Sequence, residues 1–303
     1  MSHSLKNNSC ILCLHTDFKT LGTPRINLAF PRNDQSNYNI MQCRSCGYYF
    51  VYPPIDLTQH EWQSLYESDY FEVAKKTPWQ INLNKKELQT RMAQINQHIG
   101  CQKGRFLDMG CGEGFMLQEA ASNGFEPHGL DIANNLTPEL TEKYNFINGS
   151  VFDAHFPDDY FSVVYMDSVL EHVPKPVQTI NELKRILKPG GILLVVVPNE
   201  DSLMNSIAKW LYTITFNRKK YGKIKPFVTP YHIQGFNKKS LHALFQPLNM
   251  SVLVLKGFGG NYTFWKAHPR FSKHYFVSLF TYPFGLLSVV IGRQIQLMSL
   301  LRK

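Results

Sequence analysis

Residues 107–114 read Leu-Asp-Met-Gly-Cys-Gly-Glu-Gly, with a carboxylate followed by glycines at every second position. Without a Cβ, such a loop lets backbone N–H groups approach a ligand that side chains would block. The spacing Gly110-x-Gly112-x-Gly114 differs from the Gly-x-Gly-x-x-Gly of a dinucleotide site. A second chemistry is carried by two Cys-x-x-Cys pairs, Cys10/Cys13 and Cys43/Cys46. Four thiolates suit a tetrahedral zinc ion. The interval of about thirty residues between the pairs suits a ribbon with an inserted hairpin better than a finger. Unrelated buried cysteines are the alternative. A redox role is disfavoured because neither pair precedes a helical pattern. With Cys101 and Cys111, the six cysteines point to a metal site in a reducing compartment rather than a disulfide framework.

Positioning these groups requires alternating strands and helices. Arg105-Phe-Leu makes a strand ending at Asp108, and residues 115–123 make the helix after the glycine loop. Leu88, Met92, Ile95 and Ile99 share one face of a preceding helix. Further strands are expected at 125–131, 144–152, 161–166, 192–197, 250–256 and 294–301, with helices at 177–187 and 238–245. The continuous apolar run at 161–166 is of the buried parallel type.

The glycine loop, Gly129-Leu-Asp131, Phe156-Pro-Asp-Asp-Tyr-Phe-Ser-Val-Val164 leading to Leu170-Glu-His-Val173, and Leu187-Lys-Pro-Gly-Gly-Ile-Leu-Leu-Val-Val-Val-Pro-Asn199 occur in that order. Together they resemble the motifs of class I S-adenosylmethionine-dependent methyltransferases. The resemblance implies a doubly wound α/β fold with a seven-stranded Rossmann-like sheet of order 3-2-1-4-5-7-6. It places a methyltransferase domain at residues 83–303, with insertions at 199–232 and 260–292, behind a zinc-ribbon-like segment and linker at 1–82. The cofactor set it implies is Asp108, Gly110, Cys111, Gly112, Gly114, Asp131, Ile132, Phe152, Asp153 and Asp167. Asp108 is expected near the methionine end and Asp131 at the ribose hydroxyls. Many family members have Gly-Asp at the adenine contact, whereas this chain has Gly149-Ser150. Asp153 or the backbone around Val151 and Phe152 is left for that contact.

After the fourth strand the chain reads Asp167-Ser-Val-Leu-Glu171-His172. An Asn/Asp-Pro-Pro-aromatic sequence there would signal methylation of nucleic-acid bases, so its absence argues against that substrate. His232, in Pro230-Tyr-His-Ile-Gln-Gly-Phe236, is the expected acid/base, with His172 the second choice and a structural histidine the alternative. Tyr48-Tyr-Phe-Val-Tyr52, Trp62, Tyr66, Tyr70 and Phe71 read as packing between the N-terminal segment and its neighbour, or as a substrate wall.

The 303-residue chain is 44% hydrophobic and 18% charged, with net charge +9. Residues 101–200 carry 7 Lys/Arg and 14 Asp/Glu, whereas residues 201–303 carry 15 Lys/Arg and one acid, Asp201. The basic last third, including Arg218-Lys-Lys220, Lys223 and Lys225, favours anionic partners. Residues 275–292 lack formal charge, but Pro283 and Gly285 interrupt them, and a span would leave the seventh strand across the bilayer. The segment is therefore read as a buried insertion or a monotopic element on an anionic membrane. No apolar leader follows the polar residues 1–8, so a cytoplasmic protein peripheral to the inner face of a membrane is expected. The expected reaction is O-methylation of a small-molecule or lipid/glycan-linked acceptor, with S-adenosylmethionine as cofactor and a structural Zn²⁺. RNA methylation using ribbon and basic face, or a catalytically silent binding protein, is the alternative.

Overall fold

The computed structural model describes residues 5–6, 9–26, 38–55, 57–68, 78–100, 103–215, 228–229, 232–259, 268 and 270–303. Cys101, Tyr70, Phe71 and the basic run Arg218, Lys219, Lys220, Lys223 and Lys225 lie outside them.

The N-terminal strands β1 (Phe18–Gly22), β2 (Asn39–Cys43) and β3 (Tyr49–Tyr52) form an antiparallel meander. Helices α1 (Gln59–Ser68) and α2 (Pro78–Ile99) follow. Met92, Ile95 and Ile99 of α2 are buried against the main sheet, as their helical spacing predicts. That sheet begins with β4 (Arg105–Met109), α3 (Phe115–Ser122), β5 (Glu126–Asp131), α4 (Pro138–Lys143) and β6 (Asn145–Asn148). It continues with β7 (Phe161–Asp167), α5 (Pro176–Ile186) and β8 (Leu187–Pro198). Then come α6 (Leu203–Ile214), the two-residue β9 (Gln234–Gly235), α7 (Lys238–Phe245), β10 (Ser251–Phe258), α8 (Lys273–Val290) and β11 (Gln296–Arg302).

The seven strands lie in the order β10-β11-β8-β7-β4-β5-β6. Numbered within the sheet this is the expected 3-2-1-4-5-7-6, with β11 antiparallel to both neighbours. Val163 to Met166 and Ile192 to Val197 are almost wholly excluded from solvent. Helices covering both faces of a parallel sheet leave its strands no polar side, hence their unbroken aliphatic runs.

The N-terminal segment is stitched onto the sheet. β9 leaves the connection after β8 and pairs antiparallel with β3. Cys10, Cys43, Cys46, Tyr48 and Phe50 join the same core as Leu107, Val195 and Phe236. Tyr49, Val51 and Tyr66 form another core with Ala133 and Ile233. The aromatic cluster thus packs one part of the chain onto the other.

Residues 275–292 depart from the expectation of a break and of a buried insertion. α8 continues through Pro283, forfeiting a single N–H donor at an exposed position. Only Gly285 and Ser288 of this helix are buried, while Phe276, Phe280, Leu287 and Val290 face solvent. A buried insertion needs a surface to cover it, and α8 contacts chiefly α6. Among the described residues no helix is long and apolar enough to cross a membrane.

Candidate active site

At the end of β4, Gly110, Gly112 and Gly114 all take positive φ, at 79°, 49° and 76°. The loop is pinned to the neighbouring strand: Gly110 N–H donates to Leu130 O at 2.7 Å. Gly112 N–H donates to Asp131 Oδ2 at 2.9 Å, and Ala133 N–H to Asp131 Oδ1 at 3.1 Å. A Cβ on Gly110 would stand 2.2 Å from Val169 Cγ2, so the loop is roofed by the turn that follows β7.

Beside the loop opens a cavity of about 290 Å³, lined by Asp108, Gly110, Cys111 and Asp167 of the expected set. Asn84, Glu87 and Arg91 of α2, with Ser168 and Gln296, complete its polar wall. Asp108 is buried, and burial, followed by the nearby Asp131 and Asp167, pushes its carboxyl well above the usual range. Burial likewise raises Asp131. Asp167 is held by Arg91 Nη1 at 3.1 Å, Tyr165 Oη at 3.0 Å and Ser168 Oγ at 3.0 Å. Carboxylates converging on a cavity suit a cationic ligand, because each relieves its electrostatic penalty by facing positive charge.

Arg91 was not foreseen. Its place beside Met92, on a helix whose apolar stripe is buried, is the only trace it leaves in the sequence. Ile132 is half-buried against the N-terminal segment. Phe152 is exposed, and the Asp153 carboxylate accepts from Ser150 N–H and Oγ–H. Neither Phe152, Asp153, Gly112, Gly114 nor Asp131 lines the cavity itself.

The roofing turn continues into a 3₁₀ helix, Leu170–His172. Here the two histidines expected to do acid/base work come together, with ring centroids 4.5 Å apart and planes at 88°. The His172 Nδ1 lies 2.9 Å from the Tyr66 hydroxyl, and its Nε2 4.0 Å from Glu171 Oε1. Glu171, only 1% exposed, has no hydrogen-bond partner for either carboxylate oxygen among the described residues. Burial pushes its carboxyl up to about 8 and His232 down to about 4. The backbone fixes the group: Ile233 N–H donates to Glu171 O, and Val51 N–H to Ile233 O. Tyr48 donates to Gln234, whose amide donates to Val173 O. Glu171 had no role assigned from sequence; its signal was a carboxylate beside a histidine in an apolar stretch.

Cys10, Cys13, Cys43 and Cys46 form a separate cluster with all sulphurs within 4.8 Å. Cys10 and Cys46 sulphurs lie 3.7 Å apart, Cys13 and Cys43 sulphurs 3.5 Å apart. A tetrahedral ion about 2.3 Å from each sulphur spaces them about 3.8 Å apart. The hydrogen bond from Cys46 lowers Cys10 to about 6, while burial raises Cys43 to about 11. Gly47, at φ 73°, closes the second knuckle, and its carbonyl accepts from Asn237 Nδ2.

Sheet order, glycine loop and converging carboxylates define an S-adenosylmethionine-dependent methyltransferase of class I. The chain belongs to that family: the model of the methyltransferase domain matches residues 83–254. An uncharacterised protein of Methanocaldococcus jannaschii is 38% identical over 102 residues, covering 34% of this chain and 45% of that protein. The chain therefore spans under half the length of that relative. The ubiquinone biosynthesis O-methyltransferase of Burkholderia vietnamiensis is 26% identical over 178 residues, 55% of this chain and 73% of that enzyme. The crystal structure of a SAM-dependent methyltransferase from Archaeoglobus fulgidus superposes with a TM-score of 0.52 at 17% identity, covering 73% and 94% of the two chains.

Proposed function

We propose that this methyltransferase acts on a hydroxyl group of a small-molecule or lipid/glycan-linked acceptor at an anionic membrane surface. The observation that carries the reading is the convergence of Glu171, His172 and His232 on the turn that roofs the cofactor loop. A hydroxyl needs activation before it attacks a methyl group, whereas a free amine needs only alignment. The sulfonium carbon is already electrophilic, and Asp108, Asp131 and the glycine loop hold the cofactor in this reading, with Asp167 at the cavity. The resemblance to an enzyme named for O-methylation in ubiquinone biosynthesis supports an acceptor with an apolar body.

Support for the membrane comes from the α6–α8 face. Trp210, Leu211 and Ile214 of α6 and Phe276, Phe280 and Val290 of α8 are exposed, and residues 202–303 contain no acid. The ribbon holds Zn²⁺ through Cys10, Cys13, Cys43 and Cys46, a structural ion that offsets half the charge of four thiolates and ties the two knuckles together. The test is incubation with methyl-labelled cofactor and whole-cell extract, followed by separation of lipid, RNA, protein and small molecules. Label in a base-stable ether of the lipid or small-molecule fraction is expected. Label in RNA would replace this reading with the nucleic-acid one, and cofactor binding without label would favour a silent protein.

A further inference from the structure

We propose that Glu171, His172 and His232 bind a divalent first-row metal ion that coordinates and activates the acceptor oxygen. The inference rests on the reading of this cluster as the acceptor-activating group. One carboxylate oxygen and two imidazole nitrogens lie within 4.8 Å of one another. The 4.0 Å between His172 Nε2 and Glu171 Oε1 is too long for a hydrogen bond. Two ligands about 2.1 Å from one tetrahedral ion stand about 3.4 Å apart, so a shift of about 0.6 Å brings these two atoms to ligand spacing.

Two independent observations point the same way. Among the described residues neither oxygen of the buried Glu171 carboxylate is hydrogen-bonded, and burying such a group without a partner is costly. A cation between Glu171 and the imidazoles supplies the missing partner. His172 is also presented as metal-bound histidines are: the ring nitrogen remote from the cluster meets the Tyr66 hydroxyl at 2.9 Å. The tautomer that donates Nδ1–H to that oxygen turns Nε2 toward Glu171 with its lone pair outward, as a metal ligand requires.

Two nitrogens and one oxygen leave coordination positions open for one or two acceptor oxygens. A coordinated hydroxyl loses its proton to water more readily. Its oxygen then forms the new O–CH₃ bond as the S–CH₃ bond breaks, and the electron pair stays on sulphur as the neutral thioether. The thiolate cluster is a different site, selective for softer ions.

The zinc-loaded 303-residue chain is titrated with manganese(II), and free Mn²⁺ is followed by its electron paramagnetic resonance signal. The expected result is one equivalent bound by the wild type and affinity at least thirtyfold weaker in Glu171→Gln and His232→Gln. Cofactor binding serves as the fold check, so if one variant fails it the other decides. Free Mn²⁺ throughout at millimolar concentration, or variants binding like the wild type, overturns the site. Methyl transfer to a hydroxyl without Mn²⁺ binding removes the ion and leaves the proposed reaction. Mn²⁺ binding with no hydroxyl methylated does the opposite.

Discussion

The two ends of the active site are built in opposite ways. The cofactor end comes from one stretch, β4 to β5, where neighbouring strands hold the loop through Gly110 N–H to Leu130 O and Gly112 N–H to Asp131. The acceptor end assembles Tyr66, Glu171, His172 and His232, and the Tyr66–His172 contact alone joins residues 106 apart in sequence. In the proposed reading, local main-chain geometry therefore secures the cofactor loop, whereas docking of the N-terminal sheet through β9 secures the acceptor groups. The two functions should be separable by mutation.

The largest separation should come at Asp108. In the proposed reading Asp108→Asn removes the charge facing the cofactor cation and should weaken cofactor binding at least a hundredfold, measured by calorimetry. The same change should stabilise the cofactor-free chain by about 1 kcal/mol or more, since a buried carboxylate is penalised. The sign follows from the raised native pKa. Acidification from neutral pH stabilises the cofactor-free wild type relative to the variant, until pH reaches the unfolded value of about 3.9. Cofactor affinity must fall over the same range as Asp108 takes up a proton. A variant that binds normally would break the assignment of this end.

Gly110→Ala comes next. Its φ of 79° costs an L-residue about 1–2 kcal/mol, and the contact with Val169 adds about 1–3 kcal/mol. Urea denaturation should show a loss of about 2–5 kcal/mol. Adding Val169→Ala should recover the steric part but not the backbone part. Full recovery would mean that the turn, not the loop conformation, sets the constraint.

Tyr66→Phe sharpens the comparison from the other end. Losing one hydrogen bond to His172, about 0.5–1.5 kcal/mol, should lower kcat about three- to tenfold while leaving the cofactor Kd unchanged. An equal change in cofactor affinity would show that the two ends are coupled.

The same contrast explains what the sequence revealed. Asp108, the glycines and Asp131 are close in the chain and serve one purpose, so their spacing announced the loop and the order of the strands around it. Arg91 was obscured among the other polar residues of its helix and Glu171 between apolar ones, and only the fold shows what each one faces. β9 is two residues long, too short for any periodicity, yet it orders the acceptor end. The helix through Pro283 was hidden for another reason. An uncharged run reports low polarity but not what covers it, and an exposed proline tolerates a helix that a buried one would disrupt.

The smallest effect on folding should come from the α8 face, and it tests whether that face serves the membrane. Val290 is 83% exposed and Phe280 73%, so replacing both by glutamate removes little native packing. Away from buried features such changes shift stability by about 0.5 kcal/mol or less, and thermal denaturation should show no more than that. Partition onto phosphatidylglycerol vesicles should nevertheless fall at least fivefold, because both changes remove apolar area and add charge repelled by the lipid. Cofactor binding should be untouched, since α8 contributes nothing to the cavity. Unchanged partition would leave the exposed apolar face without a lipid role. A large loss of stability would instead show that α8 is held to α6 through these side chains, and so belongs to the fold rather than to a partner.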